Sequence, residues 1–180
     1  MIFKKKCLGQ FAILVVFILF SRLSYSSQLD SAEKVLNYFY HSYISEDKAA
    51  SSDLVTTYVL SDVIKSVNNS SLCNYDSDDS ASGEDLEKMC AKKRDCKSSK
   101  GDYICNWDGV WVETDVNYFT KSQDIYPTWK KVINITPLKK SDASADFKVS
   151  LGKYPEPVMR LKVSLVPVER SWKISRVTKY

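Results

Sequence analysis

Four of the five cysteines, Cys73, Cys90, Cys96 and Cys105, and a run of carboxylates between the first two carry the most readable chemistry of this 180-residue chain. No pair has CxxC spacing and His41 is the single histidine, so a dithiol redox centre or a zinc site lacks its ligands. An even number of thiols behind an export signal reads instead as two disulfides. Three connectivities are open. The nested one, Cys73 with Cys105 and Cys90 with Cys96, is favoured because both bridges would then cinch one polar excursion.

The carboxylates are Asp76, Asp78, Asp79, Glu84, Asp85 and Glu87. Asp76, Asp78, Ser80, Ser82, Glu84 and Glu87 alternate as the oxygen ligands of a calcium loop do, but Ala81 stands where glycine makes the sharp turn. Gly83 also replaces the apolar residue expected late in such a loop. The run is therefore assigned to a solvated insertion or a partner-binding surface; no metal and no cofactor are expected. Basic residues follow it (Lys88, Lys92, Lys93, Arg94, Lys97 and Lys100), which makes the excursion dipolar. No serine elbow, metalloprotease helix or phosphate loop is present.

These groups need a scaffold, and the strongest pattern in the chain supplies one. Ala145, Phe147, Val149 and Leu151 alternate with polar residues, as do Met159, Leu161, Val163 and Leu165, which predicts strands with one apolar face. Trp172 and Ile174 begin a last strand, and Val177 falls off its period, which predicts a bulge. Short turn-rich links join four strands between Val132 and Val177 into an antiparallel sheet. Ahead of them, Asp30 and Glu33 form a capping box for a helix carrying Val35, Leu36, Phe39, Tyr40, Tyr43 and Ile44. A second helical segment, Asp53 to Val67, is predicted to break near Ser61. Tyr103 to Val112 reads as a strand or as a hairpin turning at Asp108 and Gly109, and Pro127 limits any helix after Asp115.

Formal charge is +4, with 26 basic and 22 acidic residues. Lys4, Lys5, Lys6 and Arg22 supply the whole excess, and they lie in residues 1–26, which have the basic start, apolar run and small residues of a cleaved signal peptide. The remaining 27–180 then form one neutral domain, exported to the periplasm, with a disulfide-bearing excursion at 68–106. A neutral domain lacks the basic field of a nucleic-acid binder. Contact with the membrane is expected only through the signal, since its apolar run is about half the roughly 20 residues a span needs.

The stretch Tyr118, Phe119, Thr120, Lys121, Ser122, Gln123 and Asp124, then Trp129, the strand Arg160 to Val166, and Trp172, Lys173, Ile174 and Val177 resembles a secreted bacterial family catalogued as a domain of unknown function. The aromatic helix at Tyr38, Phe39, Tyr40 and Tyr43 suits it. The resemblance implies an α+β fold, with N-terminal helices packed on a curved C-terminal antiparallel sheet of about four strands, as in nuclear-transport-factor-like or cystatin-like rolls. It implies a role too: some domains of this kind resemble type VI secretion immunity proteins, which block a toxic effector. The expectation is thus a non-catalytic inhibitor whose partner is a toxic effector. One alternative is a small-molecule binder or enzyme using an Asp in the roll's cavity, where desolvation raises a carboxyl toward working pH; its residues would be Asp115 or Asp124 with Tyr118, Gln123 and Trp129. Another is a structural envelope protein.

Overall fold

The computed structural model describes residues 29–45, 48–74, 83–99 and 101–180. The signal-peptide assignment and the carboxylates Asp76, Asp78 and Asp79 lie outside the described residues.

The helix predicted from Asp30 spans Leu29–Ser45 (α1). Ala32, Leu36, Phe39, Tyr40 and Ile44 recur every three or four residues and are buried, while Lys34, Asn37 and His41 face outward. Lys48–Tyr58 (α2) and Ser61–Asn74 (α3) follow. The predicted break between them has a cause: Val59 pairs in parallel with Ile174, and the Leu60 N–H donates to the Ile174 carbonyl at 3.0 Å. The two residues between the helices therefore act as a short extra strand. α3 buries the small residues Ser66 and Ser70 and lies against the hairpin strands described next.

Glu84–Ala91 (α4) leads into a three-stranded antiparallel sheet, Cys96–Ser99 (β1), Asp102–Trp107 (β2) and Val110–Glu113 (β3). The β2–β3 turn is the predicted one. Asp108 and Gly109 both take left-handed φ (50° and 96°), and the Asn106 side-chain oxygen accepts from the Gly109 N–H at 2.7 Å. The β1 strand was not foreseen, and it overturns the nested disulfide pairing. Its antiparallel register sets Cys96 directly opposite Cys105, and these two are bonded, with Cα atoms 4.1 Å apart. Cys73, near the end of α3, is joined to Cys90, near the end of α4. One bridge thus staples a strand pair and the other ties two helices. Arg94 donates to the carbonyls of Met89 and Cys90, closing the C-terminal end of α4.

The C-terminal sheet has the order β4-β5-β6-β7, formed by Ile133–Lys140, Ala145–Leu151, Met159–Val168 and Ser171–Lys179, all antiparallel and open rather than closed. The alternating residues of β5 and β6 are buried on one face, and α1 and α2 cover the sheet. The slip at Val177 is a bulge. Ser164 faces Arg176 while Leu165 faces Ile174, so Ser175 is the extra residue, and Trp172, Ile174 and Val177 all end up buried. On the opposite face Asp146 accepts from Ser164 at 2.7 Å and pairs with Lys162 at 3.0 Å. The outer strand β4 carries Pro137, Leu138, Lys139 and Lys140 exposed, with its pairing interrupted between Pro137 and Lys139. The fold is α+β, with N-terminal helices on a C-terminal four-stranded sheet.

Candidate functional site

Between β3 and β4 the chain forms no regular element, yet it is held tightly. The Asn117 side-chain oxygen accepts from the N–H groups of Phe119 and Thr120, and its amide nitrogen donates to the Tyr43 hydroxyl at 2.6 Å. The Asn117 N–H donates to Ser122 O, and the Lys121 N–H donates to Asn117 O. This compact turn is pinned to α1, because Tyr40 donates to the Phe119 carbonyl at 3.0 Å and Phe119 packs edge-on against Phe39 and Tyr43. It is pinned to the sheet as well. The Val177 N–H donates to the Tyr118 hydroxyl at 3.3 Å, beside the bulge.

The turn drives Lys121 inward. Its φ is +51°, and the residue is only 5% exposed, with its ammonium 4.1 Å from the centre of the Tyr118 ring. Burial pulls its pKa down to about 8, against the partial support of Glu113. Glu113 is itself buried, and its carboxylate is engaged elsewhere: Lys179 reaches Glu113 and Asp102 at 2.7 Å each. Burial alone would lower the Lys179 pKa, but the two carboxylates more than reverse that. This triad bolts the end of β7 to both hairpin strands β2 and β3. Among the described residues Lys121 makes no ion pair within 4 Å.

Lys121, Glu113 and Lys179 line a groove of about 740 Å³ between the small sheet and the end of β7. Its rim includes Trp111, with Lys97 stacked 4.2 Å above the ring, Arg176 and the exposed Tyr180. Four cations thus meet two carboxylates, Asp102 and Glu113, across a partly aromatic surface. Such a place favours an incoming anion.

The residues expected at a cavity do not gather here. Tyr118 lines the groove, but Asp115, Gln123 and Asp124 are exposed. Trp129 is buried elsewhere, donating its indole N–H to the Pro157 carbonyl at 2.7 Å. Asp115 sits at φ 62°, a turn position, and the Asp124 N–H donates to Ser122 Oγ. Of the acidic run, Glu84, Asp85 and Glu87 are exposed on the first turn of α4, where carboxylates suit the helix dipole. Glu84 pairs with Lys88, one turn on, at 2.6 Å. Among the described residues no three His, Cys, Asp or Glu side chains group as a metal site, and no helix is long and apolar enough to cross a membrane.

Sequence reasoning placed Lys121 inside a family motif without seeing its depth, and it missed Asp102, Glu113 and Lys179. The readable signal was Asn117, a side chain that favours such turns.

No family model matches this chain, and no curated protein matches it. A chain of the type VI native effector-immunity complex Tae3-Tai3 from Ralstonia pickettii is similar at 18% identity and TM-score 0.49, with 82% of this chain and 92% of that chain covered. A protein of unknown function from Bacteroides thetaiotaomicron is similar at 12% identity and TM-score 0.44, with 92% and 98% covered.

Proposed function

We propose that this chain is an exported, non-catalytic binding protein that neutralises a protein partner, as an immunity protein of the type VI kind does, on a cystatin-like roll. The family resemblance in its motifs suggests the role. The observation that carries the proposal is the covalently braced acidic helix. Glu84, Asp85 and Glu87 project from α4, whose other end is tied by Cys90 to Cys73 of α3. An acidic surface held rigid before binding loses little conformational entropy on docking, and its charge speeds encounter with a basic cleft. The two disulfides call for an oxidising compartment, which the periplasm is.

The test is a pull-down of the oxidised mature protein against the product of the adjacent gene. Binding is expected, and Glu84→Ser, Asp85→Ser and Glu87→Ser together are expected to weaken it about tenfold at low salt and less at high salt. A folded adjacent product that the unaltered protein does not retain removes the immunity reading.

A further inference from the structure

We infer that the groove above Lys121 is a docking site for an acidic peptide segment, whose carboxylate takes the place beside the Lys121 ammonium that no carboxylate among the described residues fills within 4 Å. The inference rests on the reading above only in taking the acid from a protein.

Three observations lead to it. The first is the burial of Lys121. A lysine normally reaches water with its head group, yet this one is held under cover by a turn with several backbone and side-chain bonds and a left-handed residue. A buried ammonium without a carboxylate costs several kcal/mol in principle, so the fold tolerates it where something outside completes it. The second is that the nearby carboxylates are already satisfied. Glu113 and Asp102 both hold Lys179 at 2.7 Å, so moving either to Lys121 would break the bolt between the two sheets. The third is the groove's lining. Lys97 and Arg176 stand beside Trp111 and Tyr180, a mixture that suits a peptide with both acidic heads and apolar stems.

The charge on Lys121 also sets the pH range. The groups facing it are Tyr118 on its own turn, Asp102 on β2, Glu113 on β3, and Arg176 and Lys179 on β7, with Lys97 on β1 at the rim. The charge on Lys121 changes between neutral and mildly alkaline pH, through a pKa of about 8. An arriving carboxylate favours its protonated form, so binding takes up a proton and weakens as pH rises past 8.

The experiment titrates the exported protein, purified with its disulfides oxidised, with N-acetyl-Gly-Asp-Glu-Gly-amide. Controls are the Asn-Gln analogue of that peptide and free glutarate, and binding is read from Trp111 indole shifts. At pH 7 the acidic peptide is expected to bind about tenfold more tightly than either control, and its affinity is expected to fall about tenfold by pH 9. Lys121→Met should abolish the preference, and Lys121→Arg should keep it while flattening the pH profile. Equal affinity for the amide analogue, no saturable binding at all, or an effect of pH that survives in Lys121→Arg overturns the inference. Glutarate binding as well as the peptide also overturns it, in favour of a free small acid. The readout needs no natural partner, so failure of the pull-down and failure of the groove are told apart.

Discussion

Lys121→Met is expected to make the protein more stable at pH 7 by about 2 kcal/mol. The side chain is buried, and its pKa drops from the ordinary 10.5 to about 8, chiefly through desolvation. Its charged form therefore weighs against the native state. The unfolded chain binds the proton more tightly than the folded one, so stability rises with pH between about 8 and 10.5. In urea titrations the unaltered protein should gain about 2 kcal/mol from pH 7 to pH 9.5, and Lys121→Met should show little of this slope. Neighbouring titrations do not confuse the window. Lys179 has a raised pKa, so its contribution persists up to its ordinary value and is lost only above that. Buried Tyr40, Tyr43 and Tyr118 also titrate higher than usual. Methionine does not strand Glu113, which keeps its bond to Lys179. A Lys121→Met protein less stable than the original would mean that the ammonium is already neutralised in the folded state.

Gly152→Ala is expected to cost about 3 kcal/mol or more, the larger of the two effects. Gly152 has φ +85°, where a side chain is strained, and a Cβ built there would lie 2.6 Å from Trp129 Nε1 and closer still to Cδ1. The indole has nowhere easy to go. Its N–H is bonded to Pro157 O, its ring packs against Tyr126, and the Gly152 N–H is bonded to Val132 O. Thermal unfolding with near-ultraviolet circular dichroism measures the loss. Trp129→Phe in the Gly152→Ala background should recover part of it, because the two substitutions act on one contact. A cost under about 1 kcal/mol would show that the indole shifts freely.

The sheet was legible because its signal is local. Phe147, Val149 and Leu151 repeat at the period of a strand, and Val177 announced its bulge by falling one residue out of step. The break before Ser61 was also legible, although its partner, Ile174, lies more than a hundred residues away and no local pattern could name it. β1 was missed because Cys96, Lys97, Ser98 and Ser99 offer no apolar alternation; it forms by pairing with β2, which a scan along the chain does not detect. The disulfide error followed directly, since strand register decides which thiols meet. The groove was the least legible part. Its six charged members come from β1, β2, β3, the Asn117 turn and β7, and one of them, Lys121, looks in sequence like any solvent lysine. Its burial arises from a φ of +51° and the hydrogen bonds of Asn117.

The margins of the four-stranded sheet bear on how the molecule behaves in company. At Ile174 the outer side of β7 is taken by the protein's own Val59 and Leu60. At the other margin Pro137 lacks an N–H, the ladder breaks just beyond it, and Lys139 and Lys140 follow. A foreign strand finds no uninterrupted run of backbone donors and acceptors on β4, and two copies meeting there bring lysine against lysine. The four-stranded sheet is thus guarded at β4 against growing into a fibre.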